Sequence, residues 1–432
     1  MISRSDFDNV MRKLRVFLKK HGDVESLVVV YTALAIRVYL AAFTQGTYDV
    51  SIWRIHVTSI MEHGIFSYYD TSLGTLLTFN HPPLMGTLMV ELFNASDFTG
   101  VDFRFTYRLL FGVSDFFAAM LLFRLLRRQP YRHIAVCSYL LAPVTFLLSS
   151  YHGNTDSLVA LFALAALGSI ACGRYALAGF ILGLGASVKW IVFLTAPALF
   201  FAIPSCQNRL KFSALAALAM VLGYGWWMSQ HPVTVFKSVF GYSGQMFFTG
   251  DGSPIWGNQI ILRPVMRLLG IGDATIQRLL DVLFHHNGAI IFVVIFVFCW
   301  LRRRRRAVGD VGATIAGSFS IFYAGTNYWA FQYFAWAVPF YFFLDWKRCL
   351  LLVVLTSAYI YGLYAYFCGS LILIGTWDFI GHPRWPHALL ALRDVTVLGF
   401  IFVALESIGQ ALLHYREIPE LESGVSCSQD AE

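Results

Sequence analysis

The residues best suited to chemistry lie in one polar and aromatic stretch, residues 47–84, which follows the first long apolar run. Asp49 comes six residues after that run, at a boundary where a carboxylate is partly desolvated and can act as a general base. The alternative is that Asp49 caps a helix or pairs with Arg54 on the following turn. Asp70 and Glu62 are rival acids that can instead cap or orient interfacial helices. We predict that Asp49 is the catalytic base.

Two further polar motifs interrupt the apolar runs downstream. In the segment 151–157, YHGNTDS, a Gly-Asn pair favours a tight turn and Asp156 can cap the next helix. A cap does not explain His152, so the competing interpretation is that His152, Asn154 and Asp156 contact a substrate. Lys189 lies within a long apolar region, where an ammonium is costly unless an anion pairs with it. Its partner is predicted to be a lipid phosphate or, alternatively, the carboxylate of Asp156.

A third polar and aromatic motif, TNYWAFQYFAW at 326–336, opens a later apolar run. An aromatic belt at the membrane surface explains most of it. A belt does not require the amide of Gln332 one turn into the helix, so Gln332 and Tyr333 join the predicted substrate contacts. The histidines of the chain show no metal-binding spacing such as HExxH. We therefore assign no metal ligand and no cofactor, although the sequence leaves a divalent metal as an unsupported alternative.

The composition places the chain among helical membrane proteins. Hydrophobic residues make up 57% of the 432 residues and charged residues only 13%, which argues against an ordinary soluble enzyme. The apolar runs are long and continuous, whereas a membrane barrel shows short alternating segments. They lie at 27–43, 107–126, 134–148, 158–171, 177–187, 191–203, 212–228, 289–301, 311–324, 328–344, 350–367 and 389–413. We predict an all-α polytopic protein of about 12 transmembrane helices, although the two short runs beside Lys189 can also be re-entrant.

The basic residues predict how the chain is oriented. Most of its 32 Lys and Arg residues fall in the N-terminal segment and in short turns on one side, including the run 302–306, so this side is expected to be cytoplasmic. That distribution accounts for the net charge of +7 and leaves no reason to infer nucleic-acid binding. We predict a single domain over residues 1–432 with both termini in the cytoplasm. Its parts are a cytoplasmic amphipathic segment at 1–23, outer loops with interfacial helices at 45–105 and 230–287, and a cytoplasmic tail at 414–432.

Taken together, these motifs resemble those of the GT-C superfamily, polytopic glycosyltransferases that use polyprenyl-phosphate sugars as donors. The resemblance is carried by YDV around Asp49, FNHPPL around His81, HGNTD at 152–156, SVKW around Lys189 and QYFAW at 332–336. The GNTD and QYFAW pieces look like those of GPI mannosyltransferase I relatives, and SVKW looks like the protein O-mannosyltransferases. Asp49 stands without the Asp-x-Asp pair that some relatives show.

The resemblance implies a membrane glycosyltransferase that moves a hexose, with mannose as one candidate, from a polyprenyl-phosphate donor to a lipid-linked or extracytoplasmic acceptor. Asp49 would take the proton of the acceptor hydroxyl in an inverting single displacement. The active site would face the periplasm or the lumen, in a bacterial inner membrane or the endoplasmic reticulum. The residues predicted to bind substrate are Arg54, His81, His152, Asn154, Asp156, Lys189, Gln332 and Tyr333.

Two other functions remain open from the sequence. A transporter or flippase of lipid-linked intermediates should show internal repeats and charges at the membrane midplane, in broken helices. The chain shows no clear repeat, and its polar residues gather at one interface instead. A glycan polymerase or ligase would also be a transferase, but both of its substrates would be lipid-linked.

Overall fold

The computed structural model describes residues 25–75, 77–241, 249–250, 252 and 254–416. The amphipathic segment predicted at 1–23 lies outside these residues, as does the tail beyond residue 416. The described residues form helices joined by short connections and contain no β-sheet, which agrees with the predicted all-α class.

The helices are numbered here in chain order. The first half holds α1 (Glu25–Phe43), α2 (Tyr48–His63), α3 (Ile65–Ser72), α4 (Pro83–Thr99), α5 (Phe103–Leu125), α6 (Arg132–Leu141), α7 (Pro143–Phe146), α8 (Asp156–Ala171), α9 (Tyr175–Val188) and α10 (Ala196–Ala202). The second half holds α11 (Cys206–Gln230), α12 (Pro232–Val235), α13 (Gln259–Leu268), α14 (Asp273–Leu301), α15 (Val308–Gly325), α16 (Val338–Tyr341), α17 (Trp346–Cys368) and α18 (His387–Arg416). Two π-helices (Leu147–His152 and Phe236–Phe240) and two 3₁₀-helices (Trp190–Thr195 and Phe331–Trp336) lie between them.

Five helices in the described part of the chain are long and apolar enough to cross a membrane, namely α1, α11, α14, α17 and α18. A sixth results if α6 and the helical segment Pro143–His152, which are bent by 49° at their junction, count as one broken span. The expected number of about 12 spans is therefore not confirmed. Part of the difference arises because α8, α9 and the segment Trp190–Ala202 have only 10 to 17 residues each, fewer than the ~20 that a straight span needs.

Two predicted boundaries differ from the structure. The apolar run at 328–344 is not one helix, since residues 328–330 are not helical and the 3₁₀-helix and the short α16 follow. Helix α14 begins at Asp273, well before the predicted start of that apolar run at residue 289. Residues 45–105 hold α2, α3 and α4, and the outward orientation of this segment stays a prediction.

Close contact between α9 and α11 fixes one wall of the molecule. A Cβ on Gly179 would lie 1.9 Å from the carbonyl oxygen of Phe212, and one on Gly183 would lie 2.2 Å from that of Ala216. Only glycine permits this approach, which is the small-residue packing common between helices in membranes. The contact holds the C-terminal end of α9, immediately before Lys189, against the rest of the fold.

A buried arginine on α5 anchors the end of α1. The guanidinium of Arg108 donates hydrogen bonds to the carbonyl oxygens of Leu40 (3.1 Å), Ala41 (2.7 Å) and Thr44 (2.8 Å). These carbonyls belong to the last turn of α1 and to its end, where no intrahelical partner is available. Arg108 therefore fixes the point at which the chain leaves α1 and enters α2 with Asp49 in its first turn.

Candidate active site

Asp49 lies at the centre of a compact hydrogen-bonded cluster. Its Oδ2 accepts one hydrogen bond from Nε2 of His152 at 2.8 Å and another from Nδ2 of Asn154 at 2.6 Å. Its Oδ1 accepts none from the described residues, and 30% of the Asp49 side chain is exposed. Asp49 therefore neither caps a helix nor pairs with Arg54, the two alternatives that the sequence allowed.

The surroundings of Asp49 favour its ionised form. Burial alone raises the pKa of this carboxyl, but the charge of His152, the hydrogen bonds from His152 and Asn154, and the charge of Lys189 outweigh it. The pKa of Asp49 consequently lies below its ordinary value of 3.8. At neutral pH the free Oδ1 is an anionic oxygen that is open to solvent or to a ligand.

Two glycines allow the segments that carry these residues to approach. Gly46 has φ of +75°, and a Cβ there would lie 2.8 Å from the carbonyl oxygen of Tyr151. Gly153 has φ of +65°, and a Cβ there would lie 2.6 Å from Cγ of Arg108. Any other residue at these positions would be strained by the left-handed backbone and would clash with the neighbouring atoms. Thr47, next to Gly46, donates its hydroxyl hydrogen to the carbonyl oxygen of His152 at 3.3 Å, which ties the two segments together.

The π-helix Leu147–His152 sets the orientation of His152. Single-turn π-helices are rare overall, but many of those that occur lie at functional sites, because they shift the direction of the residues at their end. This one is held by Ser149, whose hydroxyl donates to the carboxylate of Asp115 on α5 at 2.6 Å. His152 itself is buried, and its Nδ1 is hydrogen-bonded to the hydroxyl of Tyr364 on α17.

A second cluster forms next to the first. The ammonium of Lys189 contacts Oδ2 of Asp156 at 2.7 Å, and the indole Nε1 of Trp336 donates to the other oxygen of that carboxylate. Lys189 lies at the break between α9 and the following 3₁₀-helix, in an extended conformation that turns its side chain out of the helical register. The pairing with Asp156 was one of the two partners that the sequence left open. The ammonium makes no second hydrogen bond to the described residues.

A third part of the site is a wall formed by neutral histidines and aromatic rings. The ring of His81 lies 4.5 Å from that of Trp53, centroid to centroid, and Nδ1 of His56 is hydrogen-bonded to the hydroxyl of Tyr68 at 2.6 Å. Burial lowers the pKa of His56 to about 4, against the opposing effect of the Asp49 charge. Burial together with the charges of Lys189 and His56 holds the pKa of His81 well below its usual range. Both rings are therefore uncharged at neutral pH.

The other residues that the sequence singled out have different surroundings. Arg54 is on the exposed face of α2 and makes no side-chain hydrogen bond to the described residues. Gln332 is half-buried and its amide likewise has no such partner, whereas the ring of Tyr333 stacks on Trp336 at 4.3 Å. The rival acids are exposed: Asp70 accepts a hydrogen bond from Thr234, and Glu62 faces His63.

Sequence reasoning missed two residues of the site. Tyr364 is far along the chain from His152, inside an ordinary apolar run, so no local pattern points to it. Trp336 belongs to a motif that the sequence did single out, but Gln332 and Tyr333 were chosen from it instead. Its indole N–H is the detectable signal, since a buried tryptophan usually finds an acceptor. Within the described ranges, no group of three or more His, Cys, Asp or Glu residues is arranged to hold a metal ion.

Comparison with known families gives one match. The family model described as Glycosyltransferase family 87 matches residues 79–324, which is more than half of the chain. The matched region contains His81, His152, Asn154, Asp156 and Lys189, whereas Asp49 precedes it and Tyr364 follows it. No curated protein matches the chain. The match agrees with the expected transferase class and gives no support to the transporter alternative.

Proposed function

Because the chain belongs to glycosyltransferase family 87, we propose that it transfers a hexose from a polyprenyl-phosphate sugar to a hydroxyl of a lipid-linked or extracytoplasmic acceptor. The observation that supports particular residues in this proposal is the geometry around Asp49. Asp49 presents one carboxylate oxygen that is free and partly exposed, while the other is held by His152 and Asn154. A base that is oriented by two donors and keeps an open oxygen suits the removal of a proton from a bound hydroxyl.

The proposed reaction is a single displacement. The acceptor oxygen attacks the anomeric carbon, its proton passes to Oδ1 of Asp49, and the bond from that carbon to the phosphate oxygen breaks. The electron pair leaves with the polyprenyl phosphate, which needs no protonation because the second pKa of a phosphate monoester is about 6. One base is therefore sufficient, and the configuration at the anomeric carbon is inverted. A retaining enzyme would instead need a second carboxylate close by as nucleophile.

The lowered pKa of Asp49 has a consequence for how it acts. A more acidic carboxyl is a weaker base, so Asp49 removes a proton only late, as the attacking oxygen loses electron density to the sugar. Its main contribution is then orientation of the acceptor hydroxyl, supported by His152, Asn154 and, through His152, Tyr364.

Lys189 is the proposed contact for the donor phosphate. Its ammonium can donate three hydrogen bonds, and it makes one, to Asp156. The Lys189 side chain is partly exposed, and its charge acts on His81 in the wall formed by Trp53, His56 and His81. That wall carries no charge at neutral pH and has aromatic faces, which suits a neutral sugar ring rather than its phosphate. The identity of the sugar as mannose is supported only by the resemblance of the sequence motifs.

The test compares two acids on the purified chain. Asp49→Asn preserves size and, with its amide oxygen in the place of Oδ2, both hydrogen bonds, but it puts an NH₂ group that cannot accept a proton in the place of Oδ1. Transfer from a polyprenyl-phosphate sugar should therefore fall by ~10²–10⁴. The thermal unfolding midpoint should change little, since both hydrogen bonds remain. Asp70→Asn is the matched control, because Asp70 is exposed and lies outside the cluster, and its turnover should match the wild type. Near-normal transfer by Asp49→Asn would remove the proposed base.

A further inference from the structure

A large cavity opens at the end of the molecule opposite to Asp49. Its volume is about 1360 Å³. Among the described residues, nine arginines and two aspartates line it, together with apolar side chains such as Phe123, Ile181 and Phe343. The lining of this concave surface therefore carries an excess of seven positive charges.

The cavity is distinct from the candidate active site. Helix α5 runs from Arg108, which packs on the active-site turn, to Arg124 at the cavity, a rise of about 24 Å. Helix α8 likewise begins at Asp156 in the site and ends near Arg174 at the cavity. The two regions are separated by close to the thickness of a bilayer hydrocarbon core, about 30 Å.

The acids that line the cavity are already paired. Asp310 contacts Arg305 at 3.3 Å and Arg302 at 3.8 Å, and Asp345 is hydrogen-bonded to the guanidinium of Arg348. The remaining lining arginines with no carboxylate partner among the described residues include Arg124, Arg127, Arg128 and Arg174. Guanidinium groups brought together in one concavity repel one another unless an anion is present.

An orientation signal does not by itself explain this arrangement. The run 302–306 supplies five arginines that would count equally toward orienting the chain in a membrane. Only Arg302, Arg305 and Arg306 line the cavity, while Arg303 lies over the ring of Trp300, 4.2 Å from its centroid. The positive-inside rule concerns only the number of basic residues in cytoplasmic loops. It does not require a cavity, apolar walls, or unpaired guanidinium groups inside a cavity.

We propose that this cavity binds a phosphate-bearing polyanion, in the first place the headgroup of an anionic phospholipid that carries two phosphates. Guanidinium groups bind phosphate oxygens in a planar, bidentate geometry, and several are present without a carboxylate partner. Basic recesses between membrane helices are known to accommodate such headgroups. The apolar lining gives the first carbons of the acyl chains a surface to contact. This site goes beyond the proposed transfer reaction and does not depend on it.

The test measures binding to the full chain in a neutral detergent, by native mass spectrometry over a titration. The probes are cardiolipin with two phosphates, phosphatidylcholine with no net charge, and inorganic pyrophosphate. Arg128→Gln/Arg174→Gln removes two unpaired charges from the cavity, and cardiolipin affinity should fall about tenfold or more. Arg303→Gln/Arg304→Gln is the matched control, because it removes the same charge from residues that do not line the cavity, and it should change affinity less than about twofold.

The source of the phosphate is distinguished by pyrophosphate. Cardiolipin binding that pyrophosphate does not displace supports a lipid headgroup, and displacement with the same dependence on Arg128 and Arg174 supports a soluble phosphate in this site. Equal loss in both double variants, or no preference for cardiolipin over phosphatidylcholine, would overturn the proposal. So would cardiolipin binding that arises only after deletion of residues 417–432, since the acids of that segment would then be the native anion.

Discussion

Two buried ion pairs in this molecule differ in how their hydrogen-bonding groups are used. Arg37 and Asp115 are joined by two hydrogen bonds of 3.0 and 2.9 Å, with only 1% and 2% of their side chains exposed. The guanidinium of Arg37 also donates to two backbone carbonyls, and Asp115 accepts from Ser149. This pair uses its hydrogen-bonding groups within the fold, where it joins α1, α5, α6 and the π-helix.

The pair of Lys189 and Asp156 is built differently. Asp156 is 1% exposed and is bonded from both sides, but 16% of the Lys189 side chain remains exposed and its ammonium has one partner. A closed pair can contribute only to the fold, whereas an open one still has donors for a ligand. The exposed, unsatisfied part of a buried charge pair is therefore the part that can bind a ligand.

The largest expected effect is on the closed pair. Asp115→Asn leaves the guanidinium of Arg37 buried without a counter-charge, which typically costs about 3–5 kcal/mol. We expect the thermal unfolding midpoint in detergent to fall sharply, and activity to fall with the folded fraction and with the loss of the contact to Ser149 that holds the π-helix of His152. Ser149→Ala, which removes one hydrogen bond from the same carboxylate, should cost about 1 kcal/mol. A wild-type midpoint for Asp115→Asn would end the distinction between the two pairs.

The loss of stability at acid pH tests whether the histidines in the uncharged wall of the site are buried within the fold. His56 has a pKa of about 4 when folded and an ordinary value of 6.5, so between these values the unfolded chain binds a proton that the folded chain does not. Stability should therefore fall as the pH drops from 6.5 to 4, by up to about 3 kcal/mol. The pKa of Asp49 is lowered, so this carboxyl titrates at more acidic pH than an ordinary aspartate. His56→Gln should make the stability profile less steep, with part of the remaining slope due to His81, whose pKa is also lowered. An unchanged profile would contradict the prediction.

The open pair should separate binding from stability. Lys189→Met removes the proposed phosphate contact and should raise the KM for the donor by about 10- to 100-fold. It also leaves the carboxylate of Asp156 unpaired, which should lower the unfolding midpoint. Adding Asp156→Asn should restore part of the stability but none of the donor affinity. Recovery of both in the double variant would make Lys189 a structural residue like Arg37.

The smallest expected effect concerns the hydroxyl behind His152. Tyr364→Phe removes the partner of His152 Nδ1, so the orientation of His152 toward Asp49 is less restricted. We expect kcat to fall about fivefold with the donor KM unchanged, as suits the loss of one hydrogen bond of about 1 kcal/mol. Tyr361→Phe is the control, because that hydroxyl donates to a backbone carbonyl on the exposed side of the same helix. Equal effects of the two variants would mean that Tyr364 acts only through packing.

The sequence by itself determined the class of the protein and the segments of its site. Composition and long apolar runs are properties of the chain alone, so they predicted an all-helical membrane protein before any contact was known. Asp49, the HGNTD segment and Lys189 were recognised because polar groups are costly next to apolar runs and therefore stand out locally. The number of spans could not be read in the same way, since bends and short helices depend on how neighbouring segments pack.

Only the tertiary structure decided which groups are partners and which remain open. The sequence placed Lys189 opposite either a phosphate or Asp156, and the fold supplied the carboxylate while leaving part of the ammonium exposed. Tyr364 and Trp336 joined the site from distant segments, which no local spacing can indicate. The free oxygen of Asp49 and the unpaired arginines of the opposite cavity likewise result from the way in which the helices pack. Hydrogen-bond satisfaction depends on distances between atoms that are remote in the chain, and those distances exist only once the helices have packed.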